Sequence, residues 1–139
     1  MRVLIADDNR EIRSALRLAL LEVSTQWATA KDDKEEPAPA CCTILEAGDA
    51  TDALVLLHWR DVDVLLLDWE LPGFDAITMF PQIRARLLRG TVIAMSGGPE
   101  HRSLSLRLGA DHFVGKSDPP ARLLDLLRGL QSGPAIAWH

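Results

Sequence analysis

The sequence has few cysteines, no long hydrophobic run and no excess of positive charge, and each absence excludes a class of protein. Its two cysteines, Cys41 and Cys42, are adjacent, a spacing that suits neither a structural disulfide nor a metal site. No apolar run approaches the ~20 residues of a membrane-spanning helix. The N-terminus turns acidic at Asp7 and Asp8, too early for a signal peptide. We therefore expect a cytoplasmic protein that does not associate with membranes.

Size and charge narrow the class further. The chain has 139 residues, of which 47% are hydrophobic and 25% are charged, as in one ordinary globular domain. Its formal net charge of -5 argues against a non-specific nucleic-acid binder, because such proteins normally carry a basic face. We expect no direct nucleic-acid binding by this chain.

Five short apolar segments alternate with helical patterns, which predicts a parallel α/β sheet with helices on both sides. We place the strands near 2–6, 42–46, 62–67, 91–95 and 111–115, and the helices near 9–21, 50–59, 74–88, 100–108 and 119–130. Pro81 is expected to kink or split the third helix. The charged, proline-containing segment 24–41 is predicted to be an extended flexible loop. Residues 1–131 then form the domain, and 132–139 form a C-terminal tail.

Polar residues stand where four of the predicted strands end. Asp7 and Asp8 follow the first strand, Asp68 follows the third, Ser96 the fourth and Lys116 the fifth. Since the carboxyl ends of parallel strands meet at one edge of a sheet, these side chains are expected to lie together.

Three neighbouring carboxylates repel one another unless a cation compensates them. Mg2+ prefers oxygen ligands, so we assign Asp8 and Asp68 as direct ligands, Asp7 as a ligand through water, and the Glu70 backbone carbonyl as a further ligand. Asp68 is the candidate nucleophile for a phosphoryl group, which would form an aspartyl phosphate. Lys116 and Ser96 are then placed to contact two phosphoryl oxygens.

Simpler explanations exist for each of these residues alone. The acidic pair is also compatible with a cap of the first helix, Lys116 alone is typical of a surface lysine, and Ser96 alone is typical of a turn. Only their expected proximity favours a site. Trp69 is interpreted as a residue at the rim of this site. The histidines lack metal-ligand spacing and are interpreted as ordinary; they are His58, His101, His112 and His139.

Four segments together resemble the receiver domain of two-component response regulators. Val3–Asn9 resembles the first strand and acidic pair of that family, and Leu65–Gly73 its phosphoacceptor strand with a Pro-Gly turn. Ala94–Gly97 resembles the segment with the switch hydroxyl, and Gly109–Lys116 the approach to the family's lysine. The four motifs occur in the family's order over nearly the whole chain.

The resemblance implies a flavodoxin-like (βα)5 fold with strand order 2-1-3-4-5, and phosphorylation of Asp68 by a sensor histidine kinase in a Mg2+-dependent reaction. It also implies that Ser96 and Phe113 act as switch residues. They would alter the face made by the fourth helix, fifth strand and fifth helix, which would contact downstream protein partners or a second copy of the chain. Glu70 is implied to guide the water that hydrolyses the phosphoryl group.

One departure from the family's pattern leaves three functions open. Ser117-Asp118 separates Lys116 from Pro119, as in receivers attached to helix-turn-helix DNA-binding domains of the NarL/LuxR type. The first function is a stand-alone signalling receiver or phosphorelay intermediate, with no enzyme activity beyond its own phosphorylation and dephosphorylation. The second is the receiver portion of a transcription regulator whose DNA-binding domain is absent from this chain. The third is a phosphohydrolase of the haloacid dehalogenase type, which steady turnover of a phosphomonoester would reveal.

Overall fold

A parallel five-stranded sheet organises the protein. The computed structural model describes residues 1–31 and 42–137, with side chains for 1–24 and 42–130. The strands are β1 Arg2–Ala6, β2 Thr43–Ala47, β3 Val64–Asp68, β4 Thr91–Ser96 and β5 His112–Gly115. The helices are α1 Arg10–Lys31, α2 Ala50–Trp59, α3 Ala76–Arg86, α4 His101–Leu108 and α5 Pro120–Ala137. The strand order is β2-β1-β3-β4-β5, and all pairs are parallel, so the predicted fold is confirmed.

Successive strand residues point to opposite faces of the sheet, which divides the core into two layers. On one face Leu65, Leu67 and the other residues of that layer pack against α2, α3 and α4. On the other face Leu66 and Ile93 pack against α1 and α5. The central strand β3 is buried along its whole length, as its continuous apolar sequence predicts. The sheet is therefore held between two apolar layers, and the buried Asp68 and Ser96 lie at the carboxyl ends of β3 and β4.

The first helix has a cap of its own, separate from the acidic pair. Asn9 Oδ1 accepts hydrogen bonds from the backbone amides of Glu11 at 2.9 Å and Ile12 at 3.2 Å. This is the usual arrangement at a helix N-terminus. Because Asn9 caps α1, the simpler explanation of Asp7 and Asp8 as capping residues is wrong.

Two predicted helix ends need correction, and the third helix is not split at its proline. Helix α1 continues to Lys31, so the loop expected at 24–41 begins no earlier than 32; Val23 and Ser24 are buried, and no glycine or proline interrupts 24–31. The rest of that prediction, residues 32–41, lies outside the described residues. Helix α5 continues to Ala137 with Pro134 inside it, so the predicted tail at 132–139 is helical as far as 137. Pro81 lies inside the single helix α3, so the predicted split of that helix is wrong. Within 1–31 and 42–137, no helix is both long and apolar enough to cross a membrane.

Candidate functional site

Strand register brings the predicted residues to one edge of the sheet. Ala6 pairs with Leu67, so Asp7 and Asp68, the next residue on each strand, come side by side. Ser96 pairs with Gly115, and the Lys116 amide donates to the Ser96 carbonyl at 2.8 Å, which places Lys116 directly beyond β5. The prediction that these residues lie together is therefore correct.

Three carboxylates and one lysine form what we call the carboxylate cluster: Asp7, Asp8, Asp68 and Lys116. Lys116 Nζ lies 3.0 Å from Asp7 Oδ2 and 3.2 Å from Asp68 Oδ1. Asp7 and Asp68 are 0% and 1% exposed, so this ammonium is the positive charge that opposes two buried acids. Asp8 is exposed and faces solvent at the mouth of the cluster.

The position of Asp7 is fixed from several sides. Its backbone amide donates to the Ala47 carbonyl at 3.0 Å. Its Oδ1 accepts from the Asn9 amide at 2.8 Å, and its carbonyl accepts from Arg13 Nη1 at 2.7 Å. Arg13 is held in turn by an ion pair with Glu46 at 3.0 Å. The turn after β1 therefore presents Asp7 in one defined orientation.

The carboxylate cluster fits a divalent cation. Carboxylate oxygens of Asp7, Asp8 and Asp68 all lie within 4.8 Å of one another. Asp7 Oδ2 is buried and makes no hydrogen bond; Lys116 opposes its charge as an ion pair only. A buried carboxylate oxygen that lacks a hydrogen bond is costly unless a cation balances it. The oxygen-only donor set is the one that Mg2+ prefers.

Burial and neighbouring charges together shift the pKa values of Asp68 and Lys116. Burial raises the pKa of the Asp68 carboxyl group, and the charge of Asp7 adds to this, whereas the Glu70 amide and Lys116 oppose it. For Lys116, burial alone would lower the pKa, but the contacts of its ammonium with the Asp7 and Asp68 carboxylates outweigh burial and raise the pKa. The lysine therefore stays charged while Asp68 carries an energetic cost for ionisation.

A second group of side chains, which we call the hydroxyl cluster, consists of Glu70, Ser96 and His101. Ser96 Oγ donates to Glu70 Oε1 at 2.9 Å, lies 2.7 Å from His101 Nδ1, and accepts from the Gly98 amide at 3.0 Å. The Gly97 amide also donates to Glu70 Oε1, at 3.0 Å. Hydrogen bonds from this amide and from Ser96 lower the pKa of Glu70, which stays ionised.

Two members of the hydroxyl cluster differ from expectation. His101, interpreted from the sequence as an ordinary histidine, contacts Ser96 directly. The only signal that could have found it is its place five residues after Ser96, at the start of α4 and beyond a Gly-Gly-Pro turn. The Glu70 carboxylate, expected to guide a hydrolytic water, binds Ser96 and the Gly97 amide instead. The Glu70 amide donates to Asp68 Oδ1 at 2.9 Å.

The two aromatic residues near the site have different surroundings. Phe113 is buried, and it lines with Ser96 a cavity of about 260 Å3 between α4 and the loop after β5. The sequence suggested that Trp69 lies at the rim of the site, but this is wrong. It is buried, with its ring centroid 5.1 Å from Phe74 and 5.5 Å from Phe80, because the residue after Asp68 points into the α2–α4 side of the core.

Comparisons with known proteins agree with this geometry. Residues 3–128 match the family model described as "Response regulator receiver domain". The chain is 27% identical over 101 residues to the nitrate/nitrite response regulator protein NarL of Escherichia coli (strain K12), a match that covers 71% of this chain and 47% of NarL. The chain spans about half the length of the curated relatives it matches.

Two solved structures illustrate the likeness in fold. The signal receiver domain of a DNA binding response regulator protein (merR) from Colwellia psychrerythraea 34H has a TM-score of 0.75 at 25% identity, and the match covers 94% of this chain and 97% of that one. Response regulator protein TrrA from Thermotoga maritima, in complex with Mg(2+)-BeF, has a TM-score of 0.71 at 25% identity, with 93% and 97% covered.

Proposed function

The chain belongs to the response regulator receiver domain family, and from that premise we propose that it accepts a phosphoryl group on Asp68 from a sensor histidine kinase. The observation that carries the proposal is the position of Lys116 Nζ, which lies 3.2 Å from Asp68 Oδ1 and 3.0 Å from Asp7 Oδ2. The ammonium of Lys116 and the carboxylates of Asp7 and Asp8 lie close to the Asp68 carboxylate at the end of the central strand.

The chemistry we propose is a single displacement at phosphorus. Asp68 Oδ1 is held by the Glu70 amide and Lys116, so Oδ2 is the oxygen that we assign as the nucleophile. A P–O bond forms to Asp68 as the bond from phosphorus to the phosphohistidine nitrogen breaks. The electron pair of that bond stays on the nitrogen, and the ring leaves as neutral imidazole because its other nitrogen carries a proton in the reacting phosphohistidine. Lys116 then neutralises one phosphoryl oxygen, and the Ser96 hydroxyl donates to another.

Asp7, Asp8, Asp68 and the Glu70 carbonyl are the residues we propose as Mg2+ ligands, with Asp7 acting through water. When bound, Mg2+ supplies neutralisation of charge on the transferred phosphoryl oxygens. Asp7 Oδ2 makes no hydrogen bond to the protein, which supports this assignment, since a water held by the cation would donate one to it.

Phosphorylation is proposed to act through Ser96 and Phe113 on the α4-β5-α5 face. The cavity that these two residues line gives space for a movement of either side chain. The altered face would then bind a downstream protein or a second copy of the chain. We propose no enzyme activity beyond the protein's own phosphorylation and dephosphorylation, and a cytoplasmic location.

Treatment with acetyl phosphate and Mg2+, followed by intact mass measurement, tests this function. Wild type should gain one phosphoryl group per chain, and Asp68→Asn should gain none. Asp52→Asn, the same substitution at an exposed aspartate in α2, should behave as wild type. Chelation of Mg2+ should abolish the gain. No gain at any magnesium concentration contradicts the proposal, and steady turnover of a phosphomonoester favours the phosphohydrolase instead.

A second candidate function is the receiver portion of a transcription regulator. It is supported by the length of the curated relatives, about half of which this chain spans. The test is the full reading frame: a further ~60 residues with a helix-turn-helix pattern would favour this candidate over a stand-alone receiver.

A further inference from the structure

The Ser96 hydroxyl uses its whole hydrogen-bonding capacity within the hydroxyl cluster. A hydroxyl has one proton to donate and two lone pairs to accept with. An ionised Glu70 carboxylate can only accept, so the Ser96 proton is directed to Glu70 Oε1, 2.9 Å away. The Gly98 amide donates to Ser96 Oγ. His101 Nδ1, at 2.7 Å, must then carry a proton and donate as well.

These bonds join three parts of the fold at one buried atom. Glu70 follows β3, Ser96 ends β4, and His101 begins α4. Ser96 is 1% exposed, so water has little access to replace a lost partner. Hydrogen bonds in such surroundings are stronger than exposed ones, and a broken one is more costly.

We infer that Glu70 and His101 hold the Ser96 hydroxyl in the position that it has when Asp68 is unphosphorylated. A phosphoryl group on Asp68 must then compete with Glu70 for the single Ser96 proton. This inference rests on the proposed function. His101 is a positioning residue: it fixes the hydroxyl from the opposite side and directs its proton to Glu70. Loss of His101 therefore favours the phosphorylated arrangement, and the bond to His101 couples that change to the start of α4.

Titration of the protein with beryllofluoride, a phosphoryl analogue, in the presence of Mg2+ tests the inference. His101→Ala should bind roughly two- to tenfold more tightly than wild type, the effect of one hydrogen bond. His101→Asn should restore the wild-type Kd, because its side-chain amide nitrogen stands close to the place of Nδ1 and donates a proton. Ser103→Ala, at an exposed position of the same helix, is the matched control and should also bind as wild type.

Amide hydrogen exchange without ligand is the second measurement. The Gly98 amide should exchange faster in His101→Ala than in wild type, and His101→Asn should restore its protection, since this amide donates to Ser96 Oγ. Equal Kd values for wild type and His101→Ala overturn the inference, as does weaker binding by His101→Ala. If wild type itself binds no beryllofluoride, the proposed function is wrong and the inference falls with it.

Discussion

The carboxylate cluster and the hydroxyl cluster share one edge of the sheet but are stabilised in different ways. In the first, two buried acids and Asp8 face a single lysine, and one buried oxygen has no hydrogen bond. In the second, the Ser96 hydroxyl has a partner for its proton and for both lone pairs. The carboxylate cluster therefore has an excess of negative charge and is suited to bind a cation. The hydroxyl cluster is complete, and its bonds must break before it can contact a new ligand.

The largest effect should follow removal of the one positive charge in the carboxylate cluster. Lys116→Met leaves Asp7 and Asp68 buried without a counter-charge. We expect a loss of about 2–3 kcal/mol in the free energy of unfolding at neutral pH, less than the ~3–5 kcal/mol of a fully buried ion pair because the lysine is partly exposed. Urea denaturation measures it, and Mg2+ should restore most of the loss. If Lys116→Met is as stable as wild type without Mg2+, the carboxylate cluster does not depend on positive charge, and the difference proposed between the two clusters is wrong.

Without divalent cations, Asp68→Asn is expected to raise the free energy of unfolding, by less than Lys116→Met lowers it. The pKa of Asp68 is raised in the folded protein, chiefly by burial. The folded state then binds more protons than the unfolded state between the two pKa values, so the stability of wild type falls as pH rises through that window. Asp68→Asn removes this loss: it should be the more stable protein above the window and equal to wild type below it.

Urea midpoints from acidic to neutral pH measure this difference. Asp52→Asn serves again as the control, because its carboxylate is exposed on α2. Parallel pH profiles for wild type and Asp68→Asn would show that burial of this acid carries no cost.

The smallest effect should come from Ser96→Ala. The variant loses one hydroxyl, while Glu70 and His101 still reach solvent, so we expect a loss of about 1 kcal/mol. Thermal or urea unfolding measures it. Mg2+ should stabilise Ser96→Ala and wild type by the same increment, in contrast to Lys116→Met. A loss that Mg2+ repairs would mean that the two clusters are not energetically separate.

The difference between the two clusters explains which contacts of the site could be predicted from the sequence and which could not. Asp7, Asp68 and Lys116 each follow an apolar strand, and strand register alone brings them together. The contacts of Glu70 and His101 depend on how a turn after β3 and the Gly97–Pro99 turn orient two side chains. No periodic pattern encodes such an orientation, so the histidine was missed. The alternation of strands and helices predicted the topology, but helix ends depended on local burial, as at Ser24.

The burial of Trp69 has a practical consequence for spectroscopy. Its indole is adjacent in sequence to Asp68 and packs against Phe74 and Phe80, whereas Trp59 is 73% exposed on α2. Fluorescence from Trp69 is thus emitted from an apolar environment next to Asp68, the proposed nucleophile, where an attached phosphoryl group would change the local electric field. The emission of Trp59 comes from a surface remote from that field. Trp69 would therefore serve as an optical reporter of the proposed phosphorylation of Asp68.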